Sequence, residues 1–393
     1  MSRSTPKSDN PFYDASLNAR HFRAKAFKLF TLSSIVFAIS FLLFFLGDMV
    51  YKGLPAFQQA YIKIDVSYSE KSLASIRQAV DKKYRRVVSR SWLRGIPRQV
   101  EANPELMNTT QTRWVLLNHQ VDQYLKGHYY KVKAKNIKLI DAMQKEGKVE
   151  LQFNEIFFTH GDSKIPENSG FKSAIIGSIL TLLVMMVVAF PLGVMTAVYL
   201  EEFAPDNRWT QLIEININNL AAIPSILFGL LGLAVFITLF GMPRSSPLVG
   251  GLTLALMTLP VIIVSARAAL RSVPDNIRQA GYGLGLTKIQ VVQDHVLPLA
   301  FPGIMTGSII GLAHAMGETA PLIIIGMIAF IPDTPTSIFE AATVMPAQLF
   351  TWAGMPERAY VERTAAGIMV LISVLITMNT FAIYLRKKFE VKW

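Results

Sequence analysis

Apolar residues along this chain gather into six blocks of 20 or more, near Phe27–Val50, Ser173–Leu200, Asn219–Phe240, Pro247–Leu270, Pro302–Gly326 and Ala365–Leu385. A helix rising about 1.5 Å per residue needs about 20 apolar residues to cross a hydrocarbon core about 30 Å thick, so each block is long enough. Several carry Gly and Pro, which spanning helices tolerate because neighbouring helices and polar side chains satisfy the freed backbone groups. The pattern predicts six transmembrane helices rather than six core helices of a soluble protein. Between the first two, residues 51–171 are polar and long enough to fold as a unit. There Tyr61–Tyr68 alternates as a half-buried strand, Ser72–Val88 and Gln111–Leu125 read as helices, and Lys148–Phe158 reads as another strand. A small α+β insert is expected. The segment Met327–Tyr360 holds an amphipathic run, EAATVMPAQLFTWAG, expected along the membrane interface with Trp352 at headgroup depth.

Composition agrees with a membrane protein: 51% of residues are hydrophobic and 17% charged, and the mean hydropathy is +0.36. The first block is longer than the apolar region of a signal peptide, and no small-residue cleavage site closes it, so it is expected to stay. Arg20, Arg23, Lys25 and Lys28 precede that block, and Arg386, Lys387 and Lys388 follow the last one. Six crossings put both termini on one side, and the positive-inside rule makes that side the cytoplasm. The expected organisation is a cytoplasmic tail (1–26), a first helix (27–50), a periplasmic insert (51–171), a five-helix core (172–385) and a second cytoplasmic tail (386–393). The net charge of +12 does not point to nucleic acid, because the insert alone holds 20 basic against 12 acidic residues while residues 172–385 are slightly acidic. Such an insert either concentrates anions, contacts a partner protein electrostatically, or is a solvated surface. The chain has no cysteine, which excludes disulfides and thiolate metal sites.

The connection from Arg278 to Pro298, RQAGYGLGLTKIQVVQDHVLP, is polar and punctuated by glycine. Gln279, Ala280 and Gly281 are small or helix-compatible, Gly285 permits a sharp turn, and Lys288–Val296 has helical spacing that Leu297-Pro298 is expected to end. Two short helices at an angle form a knob for a groove on another protein. By spacing alone, an amphipathic connector at the interface is an equal reading. Gly283–Lys288, GLGLTK, is not a phosphate-binding GxxxxGK[ST] loop, and the chain contains none.

These residues stand as in the docking motif of membrane subunits of bacterial ABC importers: "EAA" at Gln279-Ala280-Gly281, glycine at Gly285, and "LP" at Leu297-Pro298. PLGVMTAVYLEEFAP (Pro191–Pro205), NNLAAIPSILFGLLG (Asn218–Gly232), GGLTLALMTLPVII (Gly250–Ile263), ARAALRSVP (Ala266–Pro274), MGETAPLIIIG (Met316–Gly326) and MPAQLFTWA (Met345–Ala353) are similar to the PstA type of phosphate-uptake permease. The resemblance covers roughly residues 173–390. It implies an all-α polytopic membrane protein with six transmembrane helices of MetI-like ABC importer type, carrying the α+β insert between helices 1 and 2. It further implies a non-hydrolysing permease subunit of an ATP-driven inorganic phosphate importer in the bacterial inner membrane. The implied partners are a homologous PstC-type permease, a PstB-type ATPase dimer, a periplasmic PstS-type phosphate-binding protein and the lipid bilayer, with no cofactor. Loop 275–298, through Gln279, Ala280, Gly281, Gly285 and Lys288, is the expected ATPase-docking element. Other readings are a permease for another oxyanion or small solute, and a membrane phosphate sensor or scaffold. The chain departs from the family pattern at Gln279, usually Glu, at Gly281, usually Ala, and at His314, where Arg is common; its insert is also long.

His314 and Glu318, spaced i, i+4, are expected on one face of the fifth span. A carboxylate within the bilayer costs about 2.5–3.5 kcal/mol on insertion scales, so such groups face an interior or a pathway and keep a partner. Glu318, followed by Thr319, is expected to hold a gate cation, either His314 or an arginine of the partner permease, rather than to ligate phosphate. A role in helix packing alone is the plain alternative. His-Glu-x-x-His is absent and no third ligand is apparent, so no metal is expected. Arg267, near the inner end of the fourth span, is a candidate bidentate contact for phosphate, or with Arg271 a headgroup anchor. Asn219 and Ser225, flanking Pro224, are candidates for lining the pathway at a break in the third helix, where small polar residues also serve packing.

Overall fold

The computed structural model describes residues 17–128, 130–328 and 330–388, so the expected tails fall partly on residues 1–16 and 389–393, outside the described residues. Contacts divide the chain into two units, one ending at Tyr51 and one starting at Lys52. The first span is a 37-residue helix, Leu17–Gly53. At about 1.5 Å per residue it is longer than a hydrocarbon core, and its basic start, Arg20–Lys28, is continuous with the apolar part of the same helix.

In the second unit the second span runs Lys172–Val198 and is extended to Phe203 by a wide π-type turn. The fourth span is Pro247–Arg271, the fifth Leu297–Gly317 and the sixth Arg358–Lys388. The third is broken where Pro224 stands, as expected: Arg208–Ala221 and Ser225–Leu239 meet at 105°. Pro224 explains the break, since the residue before a proline is driven out of the helical region. The fourth span packs along both the second and the fifth. Lipid supplies no hydrophobic drive between spans, so close contact must hold them, and small residues permit it. A Cβ on Gly251 would lie 2.5 Å from Val184 Cβ, and one on Gly307 would overlap Ser265.

The insert is built on a three-stranded antiparallel sheet in the order β2-β1-β3, with β1 Gln58–Ser67, β2 Thr110–Leu116 and β3 Val149–Phe153. On β1, Ile62, Ile64 and Val66 turn inward while Lys63 and Asp65 are exposed, the period-2 pattern of a strand with one buried face. Two expected helices are corrected. Ser72–Val88 shows only a short helix at Glu70–Ala74 and a tight turn at Ile76–Ala79, because Val87 and Val88 are drawn into the core and Val88 bridges to Leu117. Gln111–Leu125 is a strand in its first half: Thr110, Thr112 and Trp114 favour extended backbone, and pairing with β1 uses it. The helix starts only at His119, where the Asn118 side chain accepts from the Val121 N–H. The strand expected over Lys148–Phe158 stops at Phe153, and Asn154 caps a short helix in the same manner.

The insert is joined to the membrane core by buried polar contacts. Trp352 Nε1 donates to Asp162 Oδ1 at 2.9 Å, Gln123 Nε2 to Glu362 Oε1 at 2.7 Å, and Arg363 Nε to the Pro166 carbonyl at 2.6 Å. Trp352 is only 1% exposed, which corrects its expected place at headgroup depth. Its helix, Met345–Ala353, is buried against the second and sixth spans, and the indole N–H finds its acceptor on the insert.

Candidate coupling and translocation sites

The hairpin after the fourth span starts with helix Asp275–Gly283 and turns at Gly285, whose φ of +81° lies in the left-handed region. A Cβ there would meet nothing within 4 Å, so the requirement for glycine is one of backbone alone. Thr287 then opens the second arm with a capping box: its side chain accepts from Gln290 N–H, and the Gln290 side chain accepts from Thr287 N–H. Gly281 is packed against Val291, whose Cγ2 would stand 2.8 Å from an added Cβ. Gln279, Ala280, Gly285 and Lys288 are exposed, as are the apolar Tyr282, Ile289 and Leu284, the last 82% open at the tip. Lys288 Nζ lies 5.4 Å from the Phe203 ring centre, a cation–π contact between the hairpin and the end of the second span.

Leu297-Pro298 does not end the second arm, contrary to expectation. Helical backbone runs from Lys288 to Gly317 without interruption. A π-type turn at Val291–Val296, in which Leu297 N–H reaches back to the Val292 carbonyl, accommodates a proline that has no N–H to give. The second arm and the fifth span are therefore one rod.

Beneath the hairpin lies an ion-pair network that sequence reasoning missed. Arg278 donates through NH2 to Glu202 Oε1 at 2.7 Å and through Nε to both oxygens of that carboxylate at 3.3 Å. It also holds the carbonyls of Val273 and Leu270. Arg267 is engaged by Glu201 at 3.3 Å and by Glu214 at 2.6 Å, and Arg271 reaches Glu201 at 2.7 Å. The second, third and fourth spans and the hairpin are thus linked through six side chains. The signal in the sequence was the Glu201-Glu202 pair at the end of an apolar span, in a core that also carries Arg267, Arg271 and Arg278. Arg267 stands in this network and not beside His314 or Glu318.

The fifth span stops at Gly317 instead of continuing to Gly326. Glu318 is extended (φ −75°, ψ 125°), and a short helix follows at Ala320–Ile324. Glu318 is therefore not on a helix face, although its Oε1 still meets His314 Nε2 at 3.2 Å. Pro321 cannot continue the i to i−4 ladder from the preceding span, which accounts for a break at this point. The carboxylate is mostly covered, 19% exposed against 57% for its histidine partner. The second half of the broken third span packs on Ala320–Ile324, and a Cβ on Gly229 would lie 2.7 Å from Pro321 Cα. Two interrupted spans are thereby brought side by side, with Ser225 half-buried at one break, Asn219 exposed just before it, and Thr319 at the other. Interrupted helices expose backbone N–H and C=O groups that can hydrogen-bond a solute at membrane depth.

Comparison with known proteins places this architecture. The family profile of the binding-protein-dependent transport system inner membrane component matches residues 189–391. A domain of unknown function, DUF3333, matches residues 14–83 and 74–134, the first span and much of the insert. The phosphate transport system permease protein PstA 1 of Mycobacterium tuberculosis (strain CDC 1551 / Oshkosh) is 32% identical over 225 residues, 56% of this chain and 73% of that protein. The phosphate transport system permease protein PstC of Pasteurella multocida (strain Pm70) is 30% identical over 258 residues, 59% of this chain and 78% of that one. An inward-facing structure of the MetNI methionine ABC transporter matches with a TM-score of 0.44 at 17% identity, over 55% of this chain and 95% of that one. The chain is an integral inner-membrane protein that belongs to the binding-protein-dependent transport system inner membrane components, in their PstA-type permease branch.

Proposed function

We propose that this chain is the permease subunit of an ATP-driven importer of inorganic phosphate, forming half of the pathway beside a PstC-type permease. Both termini and the hairpin face the cytoplasm, the insert faces the periplasm, a PstB-type ATPase dimer docks at the hairpin, and a PstS-type protein delivers phosphate from outside. The observation that carries this reading is the hairpin: an exposed apolar tip on a rod that ends at the Glu318 break. Closure of an ATPase pair pushes such a tip as a lever. The rod carries the movement to Gly317–Glu318, and the Arg278–Glu202 and Arg267–Glu201–Glu214 links carry it to the other spans. Gly281 and Gly285 set the shape of the knob, and Gln279, Ala280 and Lys288 supply its exposed surface.

Glu318 would repel phosphate if it faced the pathway unpaired, so its role is to hold His314 or a partner cation as a gate. Asn219, Ser225 and Thr319 supply neutral polar groups at the two breaks. Arg267 meets phosphate only by giving up Glu201 or Glu214, which makes it chiefly a link in the network. The test is uptake into liposomes containing this chain, the second permease and the ATPase. Phosphate should accumulate only with ATP inside the ATPase compartment and the binding protein outside. Uptake of another oxyanion in preference to phosphate, or ligand-dependent contacts without uptake, overturns the proposal.

A further inference from the structure

Seven lysines and arginines and only two carboxylates line a cavity of about 610 Å³ on the insert, where it approaches the membrane core. Arg85, Arg86, Arg90 and Arg94 come from the segment before β2, and Lys131 and Lys133 from the stretch between helices His119–Leu125 and Ala134–Lys145. Arg90 and Arg94 sit one turn apart on a short helix. None of these six makes an ion pair among the described residues; Arg85 Nε donates to the Val80 carbonyl at 3.2 Å. Elsewhere in the insert, Lys126 pairs with Asp122 and Lys148 with Glu146.

Two carboxylates cannot balance seven cations, and one of the two is already engaged. Glu167 is 4% exposed, and both of its oxygens are taken: Ser89 Oγ donates to Oε1 at 2.8 Å, while the His119 backbone N–H and Nδ1 lie 3.3 and 3.2 Å from Oε2. Glu357 is the other. A second cavity of about 520 Å³ shares the same four arginines, adds Arg77 and Lys82, and is lined by no acidic residue. Like charges converging in a concavity repel one another and focus their field, so a counter-ion is attracted strongly there. One orthophosphate, with roughly two negative charges, leaves most of that excess unmet. Several linked or clustered phosphates meet it, and guanidinium forks match their oxygens in pairs.

We propose that this arginine-rich cleft binds an anion bearing several phosphate groups, either a soluble oligophosphate chain or the clustered phosphate headgroups of a bilayer surface. The inference does not depend on the transport role. Isothermal titration of the full chain in uncharged detergent micelles, with tripolyphosphate and with orthophosphate as probes, tests it. Tripolyphosphate should bind more tightly than orthophosphate and weaken with added salt. Arg90→Gln/Arg94→Gln should weaken it at least about tenfold, since two charged, forked donors are lost from the cleft. In nanodiscs, phosphatidylglycerol should compete with tripolyphosphate, relative to phosphatidylcholine, if headgroups are the occupant, and leave its affinity unchanged if the ligand is soluble. Should the double variant fail to fold, Arg86→Gln and Lys131→Gln replace it, with the thermal midpoint as control. Equal affinity in wild type and folded variants, or a wild type that neither binds tripolyphosphate nor responds to phosphatidylglycerol, overturns the proposal.

Discussion

Removing Arg278 isolates a carboxylate that the fold has taken out of water. The Glu202 side chain is 5% exposed and its charge is met by the Arg278 guanidinium at 2.7 Å. Truncating one member of a buried pair costs about 3–5 kcal/mol, because the other charge is left without compensation, whereas replacing both costs far less. Arg278→Met should therefore loosen the hairpin by about that amount, and Glu202→Gln/Arg278→Met should recover most of it. With about 1.4 kcal/mol per factor of ten, amide exchange over Asp275–Gly283 should accelerate roughly 100-fold or more in the single variant, limited by the hairpin's own opening. Exchange in the double variant should return to within about tenfold of wild type. Hydrogen exchange read by mass spectrometry on the purified chain measures both, and phosphate uptake should fall in the single variant in parallel. Exchange in Arg278→Met within about threefold of wild type refutes the claim that this pair anchors the hairpin.

Gly285→Val places a β-branched side chain at φ +81°, where even a simple Cβ costs roughly 1–2 kcal/mol. Membrane insertion should be unaffected and ATP-driven uptake strongly reduced; normal uptake would count against docking through this turn. Glu318→Gln should slow uptake while leaving copurification with the partner chains intact, and equal rates across pH in both proteins would favour a packing role. Burial raises the pKa of the Glu167 carboxyl, but hydrogen bonds from His119 and Ser89 outweigh it and hold the group below its ordinary 4.5. A lowered folded value stabilises the insert above the ordinary one, and that contribution disappears as pH falls through the folded value. The thermal midpoint should therefore decline below pH 4.5 and do so less steeply in Glu167→Gln, and parallel declines would contradict this assignment.

The spans were legible because a run of 20 apolar residues has few alternatives, and the break at Pro224 because proline removes a donor and restricts its neighbour. The end of the fifth span was not, since apolar residues resume at Ala320 and carry the block on to Gly326, past the point where Glu318 leaves the helix. Local pattern was also misread in the insert: Thr110, Thr112 and Trp114 carry strand propensity, but only pairing with β1 decides for a strand over a helix there. The knob could be read from Gly285, whereas its anchor could not, because Glu201 and Glu202 lie 65 or more residues before the arginines they meet. Trp352 was misread for the same reason. Its acceptor, Asp162, is 190 residues away, and an indole ring looks the same in sequence whether it is bound for an interface or a core.

The central claim is that the hairpin is a lever moved by a partner that hydrolyses ATP, and Leu284 is the place to test it. The chain has no cysteine, so Leu284→Cys provides a single thiol at the exposed tip. In membranes holding the assembled transporter, an impermeant maleimide should label it only in inverted vesicles, and a thiol-directed crosslinker should capture the ATPase with a yield that changes on adding ATP. Labelling in right-side-out vesicles, or a tip that never captures the ATPase, contradicts the account.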